Sequence, residues 1–252
     1  MSKNIIFITG GSRGIGAAMA RAWSGEQTEL HLFSRSANQE LEDELTSKGA
    51  EVHWHSMDLS QTEKSTDFFT QLLEKINWEN YSSVWLFNNA GMLEPIGKVG
   101  KKDVTTLTKH IALNVSTPLA WSHEFANILQ EKKIEKWIIN IGSGAANKPY
   151  FGWAPYGAGK AALHHFASTM GVEQEKEDHP INILTFNPGR TDTDMQGLIR
   201  ETDEEDFLHV KSFVEAYEQG QLNNPDDLAK GLYDFCQKGN FEQGQIVSHR
   251  DI

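Results

Sequence analysis

A chain of 252 residues is long enough for one sizeable α/β domain with a substantial core. Its 35 acidic against 23 basic residues leave a formal net charge of -12, which argues against a nucleic-acid partner and against an anionic membrane surface. A lone cysteine, Cys236, excludes an internal disulfide and points to a reducing compartment.

The first apolar run, 5–8, is too short for a signal peptide or a membrane span, so a cytoplasmic location is expected. Short apolar runs then alternate with longer amphipathic stretches. That pattern predicts a single doubly wound α/β domain, a parallel sheet with helices on both faces. Strands are expected at 4–9, 29–33, 51–55, 83–87, 136–141, 182–186 and 245–248. Helices are expected at 14–23, 39–47, 62–76, 105–129, 156–174 and 225–237.

After the first strand, Thr9-Gly10-Gly11-Ser12-Arg13-Gly14-Ile15-Gly16 opens a helix. Gly10 allows a tight turn, Gly14 lets a pyrophosphate approach the backbone, and Gly16 lets helix and sheet pack closely. Free N–H groups at the helix start favour phosphate. A glycine cluster alone is also a bare turn, but its place between strand and helix favours dinucleotide binding. The second strand ends in Phe33-Ser34-Arg35-Ser36, with no acid to take a ribose 2′-hydroxyl. Arg35, Ser36 and the loop residue Arg13 instead suit a 2′-phosphate, which favours NADPH. Asp58-Leu59, after the third strand, is placed to hold the adenine, although Asp58 reads equally well as a turn acid. Asn88-Asn89-Ala90-Gly91 follows the fourth strand, and its small residues suit close passage of a flat ligand.

Asn114 falls inside the helix expected over 105–129, where it could hold a water or kink that helix. Ser143 lies just past the fifth strand, placed to hydrogen-bond a substrate carbonyl. Tyr156 and Lys160 are four apart at a helix start and share one face. The neighbouring ammonium is expected to bring the phenol's pKa down from near 10. A Tyr-x-x-x-Lys pair also occurs on any solvated helix. Gly157 and Gly159, each costing about 0.5–1 kcal/mol inside a helix, suggest that backbone or ligand comes close there. The acidic stretch 191–224 breaks the alternation. It carries Met195, Leu198, Ile199, Phe207, Phe213, Val214 and Tyr217 at roughly helical spacing, as a helical flap over a substrate would, or a helix packed permanently on the core.

The glycine loop, Asp58, Asn88-Asn89-Ala90-Gly91, Asn114, Ser143, Tyr156-Gly157-Ala158-Gly159-Lys160 and Pro188-Gly189 occur in the order and spacing of short-chain dehydrogenases/reductases, which this chain resembles over nearly its whole length. The resemblance implies a seven-stranded Rossmann-type sheet and a catalytic tetrad of Asn114, Ser143, Tyr156 and Lys160. It also implies nicotinamide contacts near Pro188, Gly189, Thr191 and Thr193, with cofactor contacts from Tyr156 and Lys160. By that likeness hydride passes to a carbonyl carbon while Tyr156 protonates the oxygen. Gly152-Trp153-Ala154-Pro155-Tyr156, Asp192-Thr193-Asp194-Met195-Gln196 and Phe241-Glu242-Gln243-Gly244 resemble the sepiapterin reductase branch, including bacterial benzil reductases. Sepiapterin reductases hold the pterin with an acid near the C-terminus. That position aligns with Ser248, with Asp251 three residues later, which favours an apolar 1,2-diketone over a pterin. Ala145, Phe151, Trp153, Met195, Met92 and Leu93 are the expected apolar wall.

The rival readings are sepiapterin reductase, an NAD-dependent alcohol dehydrogenase, and a dinucleotide sensor without catalysis. A filled tetrad opposes the last, and Ser34-Arg35 opposes the second. His53/His55 and His164-His165 read as core or surface residues, since no carboxylate spacing completes a metal site. Apolar residues on two long helices (Leu107, Ile111, Phe125, Leu163, Phe166 and Met170) exceed one sheet-facing stripe and suggest a homodimer.

Overall fold

The computed structural model describes residues 2–252. The apolar runs Ile5–Ile8, Val84–Phe87 and Trp137–Ile139 are almost wholly buried, as expected of central strands covered on both faces. Seven strands, β1 (Lys3–Thr9), β2 (Thr28–Ser34), β3 (Glu51–Ser56), β4 (Tyr81–Asn88), β5 (Glu135–Ile141), β6 (Asn182–Asn187) and β7 (Gln245–Ser248), form one parallel sheet in the order 3-2-1-4-5-6-7. The order reverses between β1 and β4, so a crevice opens where their carboxyl ends diverge.

The helices divide between the two faces. On one side α1 (Gly14–Trp23) and α2 (Gln39–Ser47) pack with the C-terminal helix over Trp85, Phe87 and Trp137. Trp85 and Trp137 stack with centroids 4.7 Å apart. On the other side lie α3 (Thr62–Lys75), α4 (Val104–Ile111), α5 (Thr117–Leu129) and α6 (Ala154–Gln174). There Phe69 stacks on Trp121 at 4.1 Å. The stretch 191–224 holds α7 (Asp194–Arg200) and α8 (Val210–Glu218), and α9 (Pro225–Lys238) closes the first face. With Leu93, Trp153 and Tyr156, Ile199, Phe207, Val210 and Phe213 form a third, separate apolar cluster above the carboxyl end of the sheet.

The helix expected over 105–129 runs without a break over 104–129 but is not α-helical throughout. Ala112–Ser116 forms a π turn between α4 and α5. Pro118 supplies the physical cause, because it has no N–H to donate to the carbonyl of Asn114. The looser turn absorbs that missing bond, and the Asn114 side chain within it is buried against the Met92 backbone. Of the helical residues expected to exceed one stripe, Phe125, Leu163 and Met170 are buried within this chain, while Leu107 and Ile111 on α4 are exposed.

Of the paired histidines, His53 and His55 lie on the edge strand β3 and His164 is buried on α6. Glu29 and His31 alternate on β2 beside Glu51, His53 and His55 on β3, in the register Glu29↔Glu51, His31↔His53. That pairing brings ligand atoms of Glu29, His31 and His53 within 4.8 Å of one another, a set that spacing along one segment could not reveal.

Candidate active site

The cleft at the carboxyl ends of the strands encloses 1560 Å³, room for a dinucleotide together with a substrate. Its floor is the glycine loop. Gly10 and Gly14 sit at φ 67° and 54°, where other residues are strained. A Cβ on Gly16 would lie 2.2 Å from the Gly10 carbonyl oxygen, so only glycine lets α1 start this close to the turn. The helix has neither a side-chain cap nor an acid in its first turn, which leaves its amides for an anion.

Asn89 serves this loop from below. Its Nδ2 donates to the Thr9 oxygen at 2.8 Å and the Gly10 oxygen at 3.1 Å. Thr9 Oγ1 in turn accepts from the amides of Asn89 and Ala90 at 2.9 and 3.0 Å, which locks the two loops together. Asn89 is thus a brace of the site, and Thr9 is a partner that sequence reading missed.

Ser12, Arg13, Ile15, Arg35, Ser36, Asp58, Leu59, Ala90 and Gly91 all border the cleft, as do Pro188, Gly189, Thr191 and Thr193. Ser56 Oγ donates to the Arg35 oxygen at 2.9 Å and holds that turn in place. Arg13 pairs with Asp194 at the start of α7, and both side chains are largely exposed. Asp58 behaves as the turn acid weighed above. It accepts from Ser60 Oγ at 2.7 Å and from the Ser60 amide at 3.0 Å, which holds its carboxyl below the ordinary range. Its other oxygen lies 3.6 Å from Lys109, a cleft-lining cation that sequence reading overlooked.

Tyr156 and Lys160 are buried in one wall of the cleft with Ser143, just past β5, also lining it, while Asn114 is buried and does not line the cleft. Lys160 Nζ donates to the Ile141 oxygen at 2.7 Å. Asn114 accepts from the Met92 amide at 2.9 Å and donates to the Met92 oxygen at 2.8 Å, so it fixes the loop carrying Gly91. A Cβ on Gly91 would come 3.4 Å from Asn114 Oδ1 and 3.8 Å from Lys160 Nζ. His110 was missed in the sequence, although it lies one turn before Asn114. It is wholly buried, with Nδ1 2.7 Å from the Glu94 oxygen and Nε2 3.1 Å from Asn114 Nδ2. This makes Nδ1 the protonated nitrogen and Nε2 the acceptor, and burial keeps the ring neutral.

The electrostatics correct one expectation. Burial raises the Tyr156 phenol above its usual range, partly offset by the Ser143 hydroxyl, and this outweighs any pull from the lysine. A phenol that stays protonated suits a proton donor. Burial also lowers Lys160 to about 8. Below that pH, folding must bury a charged ammonium. Between about 8 and 10.5 the unfolded chain binds more protons, so stability attributable to this group rises with pH. Lys160→Met is therefore expected to be more stable than wild type by about 1–3 kcal/mol near neutrality. The gap should close as the pH approaches about 10.5. Urea unfolding at both pH values checks this, and a gap that widens with pH would refute it.

The apolar end of the cleft is lined by Met92, Leu93, Ala145, Trp153, Met195 and Phe213. Phe151 is not among them. The chain turns at Gly152, φ 88°, where a Cβ would lie 2.0 Å from the Asp206 oxygen, and Phe151 is exposed. Tyr150 lines the cleft in its place. At the far side, Ser248 lines the cleft together with His249 and Arg250, and Asp251 accepts the Ser248 amide at 2.7 Å.

A match to the short chain dehydrogenase family extends over residues 4–204. The chain belongs to that family. It is 37% identical over 248 residues to a benzil reductase ((S)-benzoin forming) of Bacillus subtilis, covering 98% of this chain and 99% of that protein. It is 28% identical to the sepiapterin reductase of Rattus norvegicus, covering 98% and 97%. Among solved structures, the KRED1-Pglu enzyme superposes with a TM-score of 0.81 at 25% identity, covering 97% of this chain and 100% of that one. The branch expected from the sequence is thereby borne out, and the chain is an oxidoreductase of carbonyl and alcohol groups that uses a nicotinamide dinucleotide. Among the described residues, no helix is long and apolar enough to cross a membrane.

Proposed function

We propose that this protein is an NADPH-dependent reductase that converts one carbonyl of an apolar 1,2-diketone to the hydroxyketone. The observation that carries the substrate reading is the wall of the cleft near Tyr156. Met92, Leu93, Trp153, Met195 and Phe213 supply apolar surface there, and Asp251 is held on the Ser248 amide instead of facing the cleft. A pterin's N–H donors would find no carboxylate at Ser248, whereas two flat apolar substituents need none there. The likeness to proteins named benzil reductase supports the same choice. Arg35, with Ser36 and Arg13 beside it and no acid at the end of β2, supports NADPH over NADH.

The glycine loop and the uncapped start of α1 would hold the pyrophosphate. Pro188, Gly189, Thr191 and Thr193 would border the nicotinamide, and Lys160 its ribose. Bound there, the reduced nicotinamide would supply the hydride for the carbonyl carbon. Ser143 orients the carbonyl oxygen by donating a hydrogen bond. Tyr156 gives its proton to that oxygen, and Lys160 helps stabilise the phenolate left behind. Asn114, fixed on Met92 and backed by His110, keeps that wall in place. Helices α7 and α8 form a flap that excludes water from the apolar end. The exposed Leu107 and Ile111 on α4 support a homodimer through that helix.

A carbonyl panel with NADPH tests the substrate. Benzil is expected to exceed sepiapterin in kcat/KM by about tenfold or more, the effect of leaving buried donors unpaired. A preference for sepiapterin that disappears in Asp251→Asn would assign the pterin instead.

A further inference from the structure

Far from the catalytic cleft, β2 and the edge strand β3 carry a second cluster of chemistry-bearing side chains. His31 Nε2 lies 2.9 Å from Glu29 Oε1, and His53 Nε2 lies 3.8 Å from the same oxygen. Zinc bonds of about 2.0–2.2 Å in a tetrahedral array place neighbouring ligand atoms roughly 3.3–3.5 Å apart, between those two values. We propose that Glu29, His31 and His53 form a binding site for a divalent transition-metal ion of the zinc class, with the fourth position open to water.

The groups behind these three atoms support the assignment. His31 Nε2–H donates to Glu29 Oε1 at 2.9 Å, and His31 Nδ1 is 2.9 Å from His55 Nε2, so moving the proton to Nδ1 and donating it to His55 would free the Nε2 lone pair for an ion. Tyr81 donates to the other Glu29 oxygen at 2.5 Å. Hydrogen bonds of this kind, behind both an imidazole and a carboxylate, orient metal ligands and fix their tautomers. Glu29 and His31 side chains are largely buried, while His53 is half open to solvent and gives an ion its way in. Glu51 Oε1 lies 3.1 Å from His53 Nε2, which adds negative charge at the mouth, and Glu51 is itself held by Lys3 at 2.8 Å.

The catalytic groups stand at the carboxyl ends of the strands, whereas Glu29 and Glu51 begin their strands' pairing at the opposite ends. The ion would clamp the edge strand β3 to β2 and take no part in reduction. Binding to the folded chain alone would also raise its thermal stability.

Untagged, chelator-treated protein titrated with ZnCl₂ by calorimetry tests the site, with Co²⁺ absorption reporting the ligand geometry. One ion per chain is expected, with tetrahedral-type Co²⁺ bands. His53→Ala, at a half-exposed position outside the catalytic cleft, is expected to weaken binding about tenfold or more while NADPH oxidation with benzil is unchanged. Glu29→Gln is expected to weaken it at least as much. Absence of saturable binding in wild type, or binding unaltered by His53→Ala, would overturn the proposal.

Discussion

Replacing Tyr156 with Phe is expected to lower kcat by about 10²–10⁴-fold, the usual range for a lost general acid. The affinity for NADPH should stay close to that of wild type. The phenol is buried beside Ser143 and Lys160, and burial keeps it protonated. Phe retains the ring that packs edge-on to Trp153 at 5.5 Å, so the cleft should keep its shape. Steady-state rates with benzil, together with fluorescence titration of NADPH, separate chemistry from binding. Turnover within a few fold of wild type would remove Tyr156 from the mechanism.

The second large effect concerns the cofactor. Arg35→Asp is expected to weaken NADPH by one to two decades, since a charge-assisted contact is worth about 1.5–3 kcal/mol. The same change should improve NADH, because a carboxylate at the end of β2 can accept from the ribose 2′-hydroxyl. Arg35 is the better target of the two arginines. Arg13 already pairs with Asp194, so a phosphate would have to compete for it. Comparing kcat/KM for the two cofactors in wild type and variant decides the matter. A wild type that prefers NADH would exclude a 2′-phosphate role for both arginines.

Much of this architecture is legible in the chain because parallel strands buried on both faces read as unbroken apolar runs, and α1 starts where its glycines demand. The seven strands lie within two residues of the expected spans. What escaped the sequence depends on neighbours that spacing along one segment does not reveal. The π turn at Asn114 needs Pro118 and the carbonyl four residues before it to be considered together. Phe151 looked like a wall residue because it is aromatic and near Trp153, yet the left-handed turn at Gly152 sends it outward and leaves Tyr150 in its place. Lys160 was expected to lower the phenol of Tyr156, a pairwise inference that burial overrides. Asp251 could be placed near Ser248 by number alone, but only the fold shows its carboxylate spent on the Ser248 amide. The Glu29–His31–His53 cluster exists only once the register of β2 against β3 is known.

The most direct test of the central claim is to follow an isotopic label. Wild-type protein is supplied with benzil and NADPH carrying deuterium on the transferable face of its nicotinamide ring, and the product is analysed by mass spectrometry and NMR. The expected product is benzoin with one deuterium on the carbinol carbon, formed much faster than from equally labelled NADH. Benzoin lacking the label, or no consumption of benzil while NADPH remains bound, would contradict it.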